Sequence, residues 1–567
     1  MSLGLFLRLN DQGSCCSDSM ADDSECAVIV PWWRRRRYWL SALLFLGFAF
    51  FTTMRANLSI VIVCMVKHGS PHNATNLAYN GSDWSNTTYS VRGTETDSGK
   101  CPSRTVPGSS NEQDGEFEWS KELQGVLLGG YFWGYSVGFQ ILGGWLSQRY
   151  GPRKMLAVGM LPAAVGCILS PLAVRISPFL FLAVRIVTGI TTSVMFPSGP
   201  VFWSRWAPPE EWSRLLTTTN AGGEFGHAIA FPINGLLCKY GGWEMPFYVV
   251  GSLSVIWCIV WLLVSRDSPS EMPGITEAEK NYIETSIGDR VTSKRTYKTP
   301  WCQMLSSRPV WACVISHMTA NFFFYMILTQ APTFLNEILK FDITSNGFYS
   351  SLPYVVLVSL VMPIGALSDY LTTKGFLSLS GVRKVMNTLG MLIPAAFLLG
   401  LAHLPCSEPL VGVALIAASV GTFAFCFLGH IVNMADIAVM HAGTLAGFSN
   451  TLASMPGIIA PYVVGYITKQ GTPEEWRTAF YIAVVLNVVG SVVFVLFSTG
   501  TAQPWALPAE LNTTTIIDEQ ENPDENHELD TMIIVSNKNV PDSHKREIIE
   551  GERLISSNSS IHRAHDV

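Results

Sequence analysis

Arg55, Arg185, Glu224 and His227 stand inside long apolar runs, where charge is expensive. An ionised side chain at the middle of a membrane span costs about 2.5 to 3.5 kcal/mol on insertion scales, so such a residue faces a cavity or a partner. Arg55 reads either as an anion-binding guanidinium, its planar donors matched to a carboxylate or phosphate, or as one arm of a structural ion pair. Arg185 leaves the same two readings open. Glu224 and His227 lie three residues apart in Gly222-Gly223-Glu224-Phe225-Gly226-His227 and therefore share a helical face. Such a pair can exchange a proton during a reaction cycle. The plainer alternative is that Glu224 neutralises Arg55 or Arg185 while His227 hydrogen-bonds in the core.

The elements that must position these groups are membrane helices. Of 567 residues, 48% are hydrophobic and only 14% charged, and the charges crowd into the termini, one early loop and one central loop, which excludes an ordinary soluble enzyme. At roughly 20 apolar residues per span, twelve spans are expected in an all-α membrane protein. The expected organisation is an N-terminal tail over 1–38, a six-helix bundle over 39–265, a central loop over 266–308, a second six-helix bundle over 309–498 and a C-terminal tail over 499–567. No removable signal peptide is expected ahead of the first span. The cysteines, Cys64 among them, read as small core residues rather than a metal site or a disulfide framework, with Cys101 and Cys406 left as a weak candidate pair. No cofactor, resident metal or nucleic-acid partner is expected, and no phosphate-cradling glycine loop or nucleophile elbow appears.

A phrase is written twice, as Gly144-Trp145-Leu146-Ser147-Gln148-Arg149 and as Gly365-Ala366-Leu367-Ser368-Asp369-Tyr370, each followed by a basic pair, Arg153-Lys154 or Arg383-Lys384. Repetition on that scale indicates two related membrane halves. The expected roles are a glycine that lets two helices approach and basic residues that hold the next loop in the cytosol. Gly144, Arg149, Arg153, Gly365, Asp369 and Arg383 are thus candidate gating residues.

Arg34-Arg35-Arg36-Arg37 precedes the first span and places the N-terminus in the cytosol. The loop over 67–122 is then luminal or extracellular. It carries three glycosylation sequons, at Asn73, Asn80 and Asn86. The C-terminal tail holds Glu550-Gly551-Glu552-Arg553-Leu554-Ile555, an acidic dileucine pattern in which Glu550, Leu554 and Ile555 would be read by clathrin-adaptor-type sorting proteins; a solvated helix end is the alternative.

Several phrases resemble the anion/cation symporter family of the major facilitator superfamily, which includes sialin, the vesicular glutamate transporters and the sodium-phosphate cotransporters. They are Met54-Arg55-Ala56-Asn57-Leu58-Ser59, Tyr131-Phe132-Trp133-Gly134-Tyr135, Trp206-Ala207-Pro208-Pro209 with Ser213-Arg214, Asn346-Gly347 with Ser350-Ser351-Leu352-Pro353, Asn433-Met434-Ala435-Asp436-Ile437-Ala438 and Gln503-Pro504-Trp505-Ala506. The resemblance spans roughly 38–507, is sialin-like, and implies an anion-pathway role for Arg55. It also implies glutamates after Arg185 for proton coupling, but this chain has Thr188 and Thr192 there, and threonine carries no titrating proton. Leu128 and Ala320 stand where the glutamate transporters carry a histidine and an arginine, which leaves Arg55 as the principal anchor. Tyr135, Asn321, Tyr325 and Asn450 are then candidate neutral hydrogen-bonding groups for the substrate, with helix packing as the alternative.

The expectation is a secondary active transporter moving an organic anion, an acidic sugar such as sialate or an acidic amino acid such as glutamate. Alternating access would be driven by protons or membrane potential in an endolysosomal or vesicular membrane. A sodium-coupled phosphate or organic-anion cotransporter at the plasma membrane is the alternative, and a transporter-derived receptor is a third reading of another class.

Overall fold

The computed structural model describes residues 35–67, 115–138, 140–287, 299–405 and 407–507. Asn73, Asn80, Asn86, Cys101, Cys406, Glu550, Leu554 and Ile555 lie outside the described residues. The first half comprises α1 (Arg36–Met65), α2 (Lys121–Val137 continued by Gln140–Tyr150), α3 (Pro152–Ile176), α4 (Pro178–Trp206), α5 (Pro209–Gly241) and α6 (Met245–Val264). The second comprises α7 (Arg308–Glu337), α8 (Ile343–Thr373), α9 (Leu379–Ala402), α10 (Pro409–Ile437), α11 (Ala442–Ala453 continued by Pro456–Ile467) and α12 (Pro473–Phe497).

Among the described residues, nine of these segments are long and apolar enough to cross a membrane by length and composition alone. The other three are broken or polar. α2 breaks at Gly138, and α11 breaks at Ser454-Met455, ahead of Pro456, whose ring removes one backbone donor. α5 is continuous but carries Glu224, His227 and Asn234. Irregular backbone at membrane depth is tolerated where it lines a cavity or is buried in protein, so these interruptions point at the centre of the molecule.

The repeated phrase has a structural counterpart. In the first half α1 packs on α5, α2 on α4 and α3 on α6; in the second, α7 packs on α11, α8 on α10 and α9 on α12. The halves meet through α5 on α8 and α2 on α11, two contacts that the same repeat interchanges. This is the twelve-helix, two-bundle architecture of the major facilitator fold.

The bundle has two ends, the loop face where α1 stops at Met65 and the linker face where α6 stops at Val264. At the loop face the halves are in close contact. A Cβ on Gly125 would lie 2.4 Å from the Pro461 carbonyl oxygen, and one on Gly465 would lie 2.4 Å from that of Lys121, so only glycine fits at either point. Lys121 pairs with Glu337, and Lys469 pairs with Glu122 at 2.6 Å, both across the seam. Lys469 lies beyond the end of α11, and the hydrogen bond it donates to Glu122 raises its ammonium above the ordinary lysine range.

The linker face is different. A Cβ on Gly144 or on Gly365 would meet nothing within 4 Å, so the expectation that these glycines bring two helices together is not met in this conformation. The side chains of Asp369 and Arg149 are exposed and, among the described residues, make no hydrogen bond or ion pair. The basic residues that follow the phrase act within each half. The Arg153 backbone N–H donates to Asp267 at 3.0 Å and its guanidinium reaches the Leu262 carbonyl, while Arg383 pairs with Asp436 at 2.7 Å.

Two further features depart from expectation. Cys64 and Cys238 form a disulfide joining α1 to α5 at the loop face, across 174 residues, and are not free core cysteines. The central loop contains a helix, Glu277–Ile287, that docks on the first half: Glu279 accepts from the backbone N–H of Arg36 at 2.9 Å, capping α1, and pairs with Arg37, which also holds Glu211 at 2.7 Å.

Candidate substrate site

Arg55 lies on α1 between the halves. Its guanidinium carbon is 4.7 Å from the ring centroids of Phe132 and Tyr325, 5.5 Å from Tyr135 and 5.8 Å from Tyr131. α1 supplies the charge, α2 three rings at the spacing of one helical face, and α7 the fourth. Cation–π attraction of about 0.5 to 2 kcal/mol per good contact offsets part of the cost of an arginine at this depth but satisfies none of its N–H donors in the plane. Arg55 Nε and Nη2 are buried without a hydrogen-bond partner, and no carboxylate pairs with Arg55 among the described residues. A guanidinium held between aromatic faces, with donors left open, has the chemistry of an anion receptor.

Among the described residues Arg185 is not brought to a carboxylate, so the ion-pair reading is not met in this conformation. It donates to the Met54 carbonyl at 3.1 Å, to Asn57 Oδ1 at 3.4 Å and to the Arg55 carbonyl at 3.3 Å. These bonds tie it to the turn of α1 that carries Arg55. Thr188 and Thr192 bond back to carbonyls of their own helix, and Thr192 Oγ1 also meets Tyr131 Oη at 2.8 Å.

Glu224 and His227 do meet, with His227 Nδ1 at 3.4 Å from Glu224 Oε2. Neither Arg55 nor Arg185 is the partner of Glu224. His227 packs across the seam against Tyr354 of α8 at 5.5 Å and Phe324 of α7 at 6.0 Å between ring centroids, and its Nε2 is buried and unpartnered.

The neutral candidates divide. Tyr135 and Tyr325 are walls of the arginine box. Asn321 donates to the Ala453 carbonyl at 2.9 Å and to Tyr325 Oη at 3.5 Å, while Asn450 donates to Gln140 Oε1 at 2.6 Å. These two amides hold the break in α11 against α7 and α2, which matches the packing reading rather than the substrate one. Sequence reasoning missed Tyr131 and Phe132 as contacts of Arg55, although both stand in the phrase Tyr131 to Tyr135, and it missed Tyr354, which lies immediately after Pro353 of another. Among the described residues no group of three or more His, Cys, Asp or Glu is placed to hold a metal ion.

Comparison with known proteins agrees with this architecture. Residues 44–461 match the model of the Major Facilitator Superfamily. The chain is 35% identical over 473 residues to human sialin, covering 83% of this chain and 91% of sialin. It is 34% identical over 481 residues to human vesicular glutamate transporter 2, covering 84% of this chain and 76% of that protein. Among solved structures it resembles a bacterial homologue of the human lysosomal transporter Spinster, inward-facing and unoccupied, with TM-score 0.58, 14% identity and coverage of 82% and 97%. It also resembles the inward-open xylose transporter XylE from E. coli, with TM-score 0.55, 14% identity and coverage of 82% and 96%. The chain is a multi-pass membrane protein of the major facilitator superfamily and belongs, within it, to the anion/cation symporter family that contains sialin and the vesicular glutamate transporters.

Proposed function

We propose that this secondary active transporter carries a small organic carboxylate, an acidic sugar of the sialate kind or an acidic amino acid such as glutamate, with Arg55 as the anion anchor. The observation that carries the reading is the Arg55 guanidinium, boxed by four rings, with Nε and Nη2 open and no carboxylate partner among the described residues. An anion entering between the halves completes the charge balance that the protein leaves incomplete, and the aromatic walls exclude the water that would weaken the contact. Arg185 positions the anchor through the Met54 and Arg55 carbonyls.

The linker face is assigned to the cytosol, because Arg34 to Arg37 precede α1 and the sequons lie in the loop after it. The close contacts of Gly125 and Gly465 then lie at the luminal end and the contact-free Gly144 and Gly365 at the cytosolic end, which supports reading this conformation as closed toward the lumen. An endolysosomal or vesicular membrane is the assigned compartment, by analogy with the sialin and vesicular glutamate transporter relatives.

Coupling is assigned to protons, carried by Glu224 with His227, because the α4 positions Thr188 and Thr192 cannot titrate. Neutral Glu224→Gln keeps shape and one acceptor oxygen but loses the charge. In proteoliposomes it is expected to abolish proton-driven accumulation of labelled anion while exchange down the anion's own gradient persists. A variant that still concentrates substrate would reduce Glu224 to a structural partner of His227; wild-type uptake that follows sodium and ignores pH would favour the phosphate-type alternative.

A further inference from the structure

The second half holds a buried polar cluster that the transport reading leaves unused. His317 of α7 and His430 of α10 face each other with ring centroids 5.1 Å apart, and they are 8% and 1% exposed. His430 sits in a π-helical turn, Phe427–Ile431, in which Gly429 leaves helical geometry at φ −83° and ψ −109°. A Cβ on Gly429 would lie 2.6 Å from the Asn387 Cβ, so the bulge presses this turn of α10 against α9.

The hydrogen bonds fix what the pair lacks. His430 Nδ1 is 2.8 Å from Asn387 Oδ1, and that amide is oriented by its own donation to Ser316 Oγ at 2.9 Å. An acceptor oxygen requires the proton of neutral His430 on Nδ1, which leaves Nε2 a bare lone pair. That Nε2 is buried with no partner. His317 Nδ1 meets Ser449 Oγ of α11 at 2.9 Å.

Titratable or charged groups on the elements around the pair are few: Cys313 on α7, Cys426 on α10, and Arg383 of α9 paired with Asp436 of α10. Cys313 accepts from Asn433 at 3.4 Å, and Asp436 is committed to Arg383. Among the described residues no uncommitted carboxylate faces the two rings.

His317 shares a face of α7 with one wall of the arginine box. His317, Asn321 and Tyr325 follow one another at four-residue spacing and form a polar ladder on one face of α7. Asn321 donates to Tyr325 Oη, and the Tyr325 ring lies over Arg55.

We infer that His317 and His430 form a one-proton relay in the second half, filled when the transporter opens at the loop face and emptied at the linker face in the conformation described here. This inference rests on the proposed transport reading and adds a second proton-carrying element to it. Loading adds one proton to a ring Nε2 lone pair, breaks no other bond and yields a single imidazolium; emptying returns the proton to water. Two imidazolium charges at this separation repel, which limits the pair to one proton.

The test uses the full chain in proteoliposomes, with labelled sialate and labelled glutamate and an imposed pH gradient. His430→Gln and His317→Asn, each keeping an amide in place of the ring, are expected to lower proton-driven accumulation by at least about tenfold while counterflow persists, because only coupling is removed. Accumulation within about twofold of wild type in both variants would overturn the relay. A second readout needs no transport: acid–base titration of purified protein is expected to show the double variant binding one proton fewer than wild type between pH 8 and pH 4. Equal proton uptake would overturn the relay even if transport is confirmed, whereas a missing proton with no anion carried would leave the relay standing and refute the transport reading.

Discussion

The loop face and the linker face are built from repeated halves, yet one is knit and the other is not. At the loop face Gly125 and Gly465 admit backbone contacts too close for any Cβ, and two ion pairs cross the seam from consecutive residues, Lys121 and Glu122. At the linker face Gly144 and Gly365 touch nothing. A glycine kept free of contact in one conformation is explained if its contact belongs to the other. On the proposed alternating-access reading, the repeated phrase would serve the state in which the linker face closes, and the loop-face glycines the state described here.

Substitutions can break this comparison in opposite directions. The largest effect is expected from Gly125→Leu, whose side chain would collide with the Pro461 backbone. Transport should fall by about tenfold or more, and a reporter cysteine at the linker face should become less accessible because the loop face can no longer close. Gly144→Leu and Gly365→Leu should lower transport by a similar or smaller factor, but with the reporter remaining accessible. If all three variants shift accessibility the same way, the two faces do not alternate.

Lys121→Glu sets two carboxylates together at the seam and should cut transport by roughly threefold to tenfold, with partial recovery in the swap Lys121→Glu with Glu337→Lys. No recovery would mean that the pair is not a closing contact. The smallest effect is expected at Lys469, whose pair with Glu122 is about half exposed. Lys469→Ala should change uptake by less than about twofold at physiological salt. A larger loss there would move the weight of closure to the rim.

Much of the fold is legible in the chain because membrane spans are written as apolar length, and the two halves as a repeated phrase. All twelve spans are written this way, but not their interruptions: α2 and α11 are broken, and α5 dilutes its apolar character with Glu224 and His227. Arg55 is legible because charge at depth is conspicuous. Its box is legible only in part: Tyr135 and Tyr325 stand among the candidates, whereas Tyr131 and Phe132 are ordinary members of an apolar helix until α1 and α2 are set side by side. The role of Arg185 is hidden for a different reason: its partners are backbone carbonyls, which leave no mark on side-chain patterns. The Cys64–Cys238 bond and the His317–His430 contact join residues far apart in sequence, and each residue alone looks like a small or polar member of a core.

The central claim, that Arg55 anchors an organic carboxylate, is tested most directly by uptake of labelled sialate and glutamate into proteoliposomes holding wild type or Arg55→Lys, with phosphate and urate as controls and equal protein insertion verified. Lysine preserves the charge but replaces the planar fork with a point donor. The account predicts that wild type carries a carboxylate and that the lysine variant loses at least about nine-tenths of that uptake. Uptake by Arg55→Lys equal to wild type, or a wild type that carries phosphate and neither carboxylate, would contradict it.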